Sequence, residues 1–462
     1  MSLAELARAV DALEVRGDGR TGFTSVSTDT RTLQPGALYV ALRGERFDGH
    51  DFAQAAVERG AAAVLGEHAV DIGAPQIIVA DSRRALGVGA AQWRARFTLP
   101  VIAVTGSNGK TTVTQMIAAI LAQAHGEKQR LATQGNLNND IGVPLMLWRL
   151  GRQHKAAVFE LGMNHPGEIA MLAELVRPTV ALVNNAQREH QEFMQSVEAT
   201  ARENGSVLAA LPSEAGVAVF PADDACTPVW RELTGTRRVI DFALEATAVV
   251  TATCEIGPES ARVSMATPAG LIETQLAVTG MHNVRNALAA AACALAVGID
   301  PRDIGLGLAA FRPVSGRGVR LRAAGGATVI DDSYNANPDS VRAAIDLLAQ
   351  AAAPRLLVLG DMGEVGERGV EFHREVGAHA RTQGIDAIYA LGAASRDAVA
   401  AFGTGARHFD DVDMLVAALR ARLEPGATVL VKGSRFMRME RVVQSLAAAA
   451  PAVTPTAAAG AH

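Results

Sequence analysis

The eight residues Thr105-Gly106-Ser107-Asn108-Gly109-Lys110-Thr111-Thr112 combine two glycines, a lysine and paired hydroxyls at a spacing suited to holding a polyphosphate. Glycines let backbone N–H groups close around phosphate oxygens, Lys110 brings positive charge to the outer phosphates, and Thr111 offers a hydroxyl to Mg2+. An apolar run at 101–104 precedes the loop and a helix-patterned stretch follows it. The loop thus joins a buried strand to a helix whose positive dipole end faces the same anion. A chance Gly/Ser turn ahead of Lys-Thr is the competing reading, and the strand–loop–helix setting argues against it. The general form of the loop needs a glycine five residues before Gly109, where Val104 stands, so this is a shortened variant. Gly106, Ser107, Asn108, Gly109, Lys110, Thr111 and Thr112 are the expected contacts to a nucleoside triphosphate.

Glu160 ends the apolar run 156–159, and a carboxylate at the tip of a strand beside a phosphate loop is placed to hold Mg2+ between nucleotide phosphates. An acid there can also be a solvated cap. His190 follows the next strand end, Val183-Asn184-Asn185, where it is either structural or a ligand at the same sheet edge. Residues 331–338, Asp-Asp-Ser-Tyr-Asn-Ala-Asn-Pro, place two acids and two asparagines directly after a buried strand, more donors and acceptors than a turn requires. Residues 134–140 are similarly rich in amides, which serve either as Asx turns or as a surface matched to peptide backbone and carboxylate groups.

The elements that must position these residues read as α/β throughout. Residues 1–97 alternate short strands at 38–42, 62–65 and 76–80 with helices at 51–59 and 82–97. Buried parallel strands follow at 101–104, 156–161 and 180–183, and ligands gather beyond the carboxyl ends of such strands. Antiparallel strands are expected within 247–280 and an Ala-rich helix at 282–297, and Gly305 and Gly307 fall inside another helical pattern. Pro and Gly concentrate at 312–318, a boundary signal. Apolar runs then recur at 327–330, 356–359, 387–391 and 428–431 with helices between them. No Gly-x-Gly-x-x-Gly turn follows the first of these, which disfavours a dinucleotide there.

At 462 residues, 49% apolar and 20% charged, the chain is globular with several cores, and three domains is the working number. A net charge of −5 with singly scattered basic residues gives no footprint for nucleic acid or an anionic membrane. Cys226, Cys254 and Cys293 lack metal-ligand spacing, and their odd number argues against a disulfide framework. The N-terminus lacks the apolar core of a signal peptide, and no apolar run is long enough to span a bilayer, so a cytoplasmic protein is expected.

These motifs together resemble the Mur ligases, ATP-dependent amide-forming enzymes of peptidoglycan precursor synthesis, over nearly the whole chain. Their phosphate loop has the shortened form T-G-[ST]-x-G-K-[ST]-[ST], which accounts for Val104. The distinguishing segments are NLNNDIGVP at 136–144, ELGMNHPGEI at 160–169, DDSYNANP at 331–338 and LGDMGEVG at 359–366. The resemblance is strongest to members that join D-alanyl-D-alanine to UDP-N-acetylmuramoyl-tripeptide through an acyl phosphate. It implies three domains: a UDP-sugar-binding domain at 1–97, a central P-loop ATP-binding domain at 98–313 and a Rossmann-like domain at 314–450, with a flexible Ala/Pro tail at 451–462. A monomer using ATP and Mg2+ is expected.

Residue roles follow from the same resemblance. Ser27, Asp29 and Arg31, with residues 49–52, correspond to UDP-sugar-binding elements. Lys110, Glu160 and His190 correspond to catalytic groups, with Thr111, Glu160 and His190 as metal ligands. Asn283 corresponds to the residue that reads adenine, and Arg317 and Asp332 to further nucleotide contacts. Asn136, Asn138, Asn139, Tyr334, Asn335, Asn337, Lys432 and Arg435 are expected to meet substrate. One position departs: family members commonly carry a carbamylated lysine beside the second Mg2+ where this chain has Asn204, which cannot be carbamylated. Other ligases of this architecture, adding a diamino acid or glutamate, are the nearest alternatives. A nucleotide-dependent binding protein without catalysis is the remaining one.

Overall fold

Continuous apolar runs become the interior strands of three sheets in the computed structural model, which describes residues 1–189, 191–323 and 325–447. His190 and the expected 451–462 tail lie outside the described residues. Met1–Phe311 forms one compact unit, and a second begins at Arg312.

The first unit holds two sheets. Five strands run in the order Glu14–Arg16, Gln76–Ile78, Ala63–Gly66, Ala37–Val40 and Ser25–Ser27, parallel except for the first pair. The expected helix at 51–59 begins as a 3-10 turn, Gly49–Phe52, before the α-helix Ala53–Glu58. The second sheet has nine strands in the order Gly270–Leu276, Ala261–Thr267, Val250–Ile256, Arg238–Ala243, Val217–Pro221, Val180–Val183, Val101–Thr105, Ala156–Glu160 and Arg130–Ala132. The three strands from 250 to 276 pair antiparallel, and the last two alternate buried and exposed residues, as a sheet with one solvated face requires. The rest pair in parallel and are almost wholly buried. Val101–Thr105 lies between two strands that follow it in the chain, so strand order reverses at its carboxyl end, where α/β sheets open a crevice for ligands.

Apolar residues of the N-terminal sheet and helices (Leu3, Leu6, Leu38, Leu65, Leu86) enter the same core as Val101, Phe159 and Leu172 of the central sheet's layer. This continuous core makes residues 1–311 one body. The helix Ser82–Arg94 provides the seam. Gly89 lets it approach so closely that a Cβ there would lie 2.8 Å from Leu6 Cδ1 and 2.9 Å from Trp148 Cζ2. Trp93 Nε1 donates to the Leu150 carbonyl at 3.0 Å. Arg94, 5% exposed, donates to the carbonyls of Val176 (2.8 Å), Phe97 (2.6 Å) and Arg177 (3.0 Å). Gly307 serves a similar purpose on the opposite layer: a Cβ on the helix Pro301–Ala310 would meet Ile120 Cα, in the helix behind the phosphate loop, at 2.4 Å.

The second unit is a six-stranded sheet in the order Val319–Arg322, Thr328–Asp332, Thr428–Lys432, Arg355–Gly360, Ala387–Leu391 and Ala406–Phe409. Only the first pair is antiparallel. Apolar clusters cover both faces. The four strands with continuous apolar runs are the interior ones. The two edge strands gave no such signal because each carries basic residues among its apolar ones.

Replacing Arg94 by Ala leaves one buried and two part-buried carbonyls without their donor, and the expected loss of stability is about 1–3 kcal/mol. Urea denaturation of wild type and Arg94→Ala measures it, and an unchanged midpoint would remove the seam role.

Candidate active site around the phosphate loop

The strand Val101–Thr105 ends at the loop, and the helix Lys110–His125 starts at Lys110 itself. Gly106 (φ 127°) and Gly109 (φ 80°) take backbone conformations that side chains disfavour. A Cβ on Gly109 would also lie 2.5 Å from Asn286 Oδ1 and 2.8 Å from Asn184 Nδ2. The loop is clamped to the segment after Val180–Val183. The Ser107 N–H donates to the Asn185 carbonyl (3.1 Å), and the Asn108 N–H to Asn185 Oδ1 (2.9 Å). The Gln187 N–H donates to Ser107 Oγ (2.9 Å), while the Asn184 and Asn185 amides both donate to the Asn108 carbonyl (2.8 and 3.0 Å). Lys110 is less open than a loop position suggests, its side chain being 14% exposed. Its ammonium donates to Glu189 Oε1 (3.0 Å) and to the carbonyls of Gly106 (2.6 Å) and Ser107 (3.2 Å).

Glu160 pairs in register with Val104 on the neighbouring strand, which sets its carboxylate at the root of the loop. Asn138 Nδ2 donates to Glu160 Oε1 at 2.8 Å, and the Glu160 N–H donates to Thr133 Oγ1 at 2.9 Å. Glu160 Oε2 is buried with no hydrogen-bond partner among the described residues. A buried carboxylate oxygen left in that condition is costly unless a cation meets it. Among the described residues no group of three or more His, Cys, Asp or Glu gathers to hold a metal. A single free carboxylate oxygen such as Glu160 Oε2 suits Mg2+, which takes one or two protein oxygens and completes its shell with phosphates and water. Thr111, 6% exposed, carries a hydroxyl at the start of the helix that follows the loop. His190 lies outside the described residues.

Several expected contacts spend their side chains locally. Asn139 Oδ1 accepts from the Gly142 N–H (2.8 Å) at the start of the helix Gly142–Leu147, and Asn337 caps Pro338–Ala349 through the Ser340 N–H (2.8 Å). Asn337 is a helix N-cap, and Asn139 closes the Asx-type turn that leads into its helix. Asn136 is exposed, and Asn283, in the first turn of Met281–Ala296, donates to the Thr279 carbonyl (2.9 Å). In the N-terminal sheet, Ser27 Oγ accepts from the Asp29 N–H (3.2 Å), and Asp29 pairs with Arg31 (2.7 Å). The Arg31 guanidinium holds the Asp29 carboxyl below the usual carboxylate range. His50, within 49–52, is buried, accepts from the Glu67 N–H through Nε2 and turns Nδ1 to Asp48.

The second unit gathers its own group. Asp331 is buried and accepts from the Gly316 N–H (2.9 Å) and Ser333 Oγ (2.5 Å), which fixes the loop carrying Arg317. Asp332 pairs with Lys432 (2.6 Å), whose ammonium also donates to the Asn335 carbonyl (2.9 Å). The guanidinium carbons of Arg317 and Arg435 lie 4.2 and 5.5 Å from the centre of the Tyr334 ring.

Residues 22–98 match the Mur ligase family, catalytic domain; residues 104–294 the Mur ligase middle domain; and residues 316–435 the Mur ligase, glutamate ligase domain. The chain is 43% identical over 426 residues to the Escherichia coli UDP-N-acetylmuramoyl-tripeptide–D-alanyl-D-alanine ligase, covering 91% of this chain and 93% of that protein. The chain belongs to the Mur ligase family. A crystal structure of MurF from Acinetobacter baumannii superimposes with a TM-score of 0.89 at 34% identity, covering 96% of this chain and 98% of that one. MurF ligase from Thermotoga maritima, solved with ADP, has a TM-score of 0.79 at 25% identity, over 91% and 96% of the two chains.

In this Mur ligase, Asn204 lies in the helix Val197–Ala209, 1% exposed, directly under the phosphate loop. Its Oδ1 accepts from the Gly106 N–H (2.9 Å), its Nδ2 donates to the Thr200 carbonyl (3.2 Å), and its own carbonyl accepts from Thr105 Oγ1 (3.0 Å). Glu203, the preceding residue, faces elsewhere and accepts from the Gly167 and Ile169 N–H groups (2.9 and 3.0 Å). The sequence singled out Asn204 as a departure but gave no sign of this brace. It also missed Asn184, Asn185, Gln187 and Glu189, whose one signal was an amide cluster just past a strand end, and Asn286 in the helix Met281–Ala296, which carried no signal.

Asn204→Leu keeps the shape and removes the acceptor from a buried N–H, a loss of about 1–3 kcal/mol. ADP binding, read by calorimetry, should weaken roughly tenfold to a hundredfold. A second expectation is that wild-type initial rates are equal in degassed, bicarbonate-free buffer and in bicarbonate-supplemented buffer across a range of Mg2+. A loss on stripping, restored by bicarbonate, would place a carbamate on some other lysine.

Proposed function

We propose that this chain joins D-alanyl-D-alanine to UDP-N-acetylmuramoyl-tripeptide, with ATP converted to ADP and phosphate. The observation that carries the substrate pair is 43% identity over nearly the whole chain to a ligase named for those substrates. The braced phosphate loop and the adjacent Glu160 supply the chemistry. A carboxylate is a poor acylating agent because oxide is its leaving group. In this reading an oxygen of the tripeptide's terminal carboxylate attacks the γ-phosphorus, the bond to the β,γ-bridging oxygen breaks, and ADP leaves. The D-alanyl-D-alanine amine adds to the acyl phosphate carbonyl, the tetrahedral intermediate expels phosphate, and the amine loses a proton.

Phosphoryl transfer of this kind depends on position and charge more than on covalent help from the protein. The loop N–H groups hold the phosphates in line, and Lys110 neutralises charge on the γ-phosphoryl oxygens. Thr111 and Glu160 would hold Mg2+, which would supply Lewis-acid charge to the phosphates. Arg317 and Tyr334 are assigned to nucleotide and substrate contacts, with Asp332, Asn335, Lys432 and Arg435. Ser27, Asp29 and Arg31 are assigned to the UDP-sugar, and Asn136 and Asn138 to the peptide. A cytoplasmic monomer goes with this reading. No helix among the described residues is long and apolar enough to cross a membrane.

Phosphate release should require ATP, UDP-N-acetylmuramoyl-tripeptide and D-alanyl-D-alanine together. Release that is equally fast with a dipeptide precursor and a diamino acid would overturn the substrate assignment. Lys110→Ala is expected to reduce turnover at least roughly a thousandfold, since it removes charge from the transferring group. Normal turnover in that variant would overturn the role of the loop.

A further inference from the structure

Glu189 stands 7% exposed beside a loop shaped to receive phosphates, an unexpected place for a negative charge. Both of its carboxylate oxygens lie on the Lys110 ammonium, at 3.0 and 3.2 Å. The ammonium is also turned onto the carbonyls of Gly106 and Ser107, so its contacts are with the protein's own oxygens. The backbone holding Glu189 is fixed. Its N–H donates to the Gln187 carbonyl (2.8 Å), and Gln187 is itself bound through its N–H to Ser107 Oγ. Glu189 therefore moves with the clamp of the phosphate loop and is not a stray surface acid.

The charges have a consequence for which form of nucleotide the site accepts. Lys110 is matched by Glu189, and Glu160 adds a second buried carboxylate with an oxygen that has no partner among the described residues. The helix N-terminus offers only about half a positive charge in compensation. A metal-free di- or triphosphate must compete with Glu189 for Lys110 and sit near two carboxylates in a partly desolvated setting, where repulsion is weakly screened. A nucleotide carrying a divalent cation reverses the balance, because both carboxylates then face a positive ion.

We propose that Glu189 is a specificity-determining residue that makes this site reject metal-free nucleotide and accept the metal-loaded form. The proposal rests on the assignment of the loop as the nucleotide site. Glu189 acts by its charge and by its hold on Lys110, and it releases the ammonium to the phosphates when the cation arrives with them.

The experiment is calorimetric titration of the full chain with ADP, in excess Mg2+ and in EDTA, for wild type, Glu189→Gln and Glu189→Asp. Wild type should bind Mg2+-loaded ADP at least about a hundredfold more tightly than metal-free ADP. Glu189→Gln should bind metal-free ADP roughly tenfold better than wild type, shrinking the gain from Mg2+ by about the same factor, while Glu189→Asp retains the wild-type gain. A purely structural ion pair predicts the opposite: Glu189→Gln would weaken both forms equally and leave the gain unchanged, which would overturn the proposal. Should Glu189→Gln fail to fold, Lys110→Met tests the same charge. With the Lys110 charge removed and the Glu189 charge kept, metal-free ADP binding should fall at least tenfold further than Mg2+-loaded binding, and equal losses would overturn the proposal. A wild type that binds ADP in neither condition would instead overturn the nucleotide site itself.

Discussion

A tight glycine loop can receive phosphates only if the backbone groups not pointing at the ligand are satisfied elsewhere, and in this protein side-chain amides do most of that work. Asn184 and Asn185 take the Asn108 carbonyl, Asn185 also takes the Asn108 N–H, and Asn204 takes the Gly106 N–H. An amide suits the task because it donates and accepts at once and carries no net charge. An aspartate could accept the same N–H groups but would repel any phosphate placed in the loop. Gly109 completes the constraint, since even a methyl group there would strike Asn286 and Asn184.

The sheet makes this bracing possible by bringing three chain segments to one edge. Val101–Thr105 lies between Ala156–Glu160 and Val180–Val183. Their carboxyl ends deliver the loop, the Glu160 carboxylate and the amide segment through Glu189 to a single crevice. The helix Val197–Ala209 supplies Asn204 from beneath. Rigidity comes from both layers: the core shared with the N-terminal sheet on one side, and the approach of Gly307 to Ile120 of the helix Lys110–His125 on the other.

In the second unit, adjacent acids do different work. Asp331 is buried and consumed by the backbone and hydroxyl donors of its own turn, while Asp332 reaches Lys432 on the neighbouring strand. Arg317 and Arg435 both approach the Tyr334 ring, which holds two guanidinium groups near each other through cation–π attraction. A run that reads in sequence as one polar cluster therefore divides into scaffold and candidate contact residues according to which way each side chain points.

The sequence by itself determined the α/β class, many of the interior strands, the strand–loop–helix at Gly106–Lys110 and the strand-end position of Glu160, because buried parallel strands are continuous apolar runs and the loop's glycines and lysine are local requirements; the interior strands Val217–Pro221 and Arg238–Ala243 were not read. It also identified Asn204 as a departure. Edge strands such as Val319–Arg322 and Ala406–Phe409 were not legible, since half-exposed strands tolerate charge and lose the apolar signature. Nor was the use of each amide. Asn138 meets Glu160, Asn139 closes a turn ahead of a helix and Asn337 caps one, and all three look alike in the sequence. Only the tertiary structure set Asn204 under Gly106 and Glu189 on Lys110, 98 and 79 residues apart in the chain. No local pattern encodes a hydrogen bond between segments that meet only after the sheet has formed.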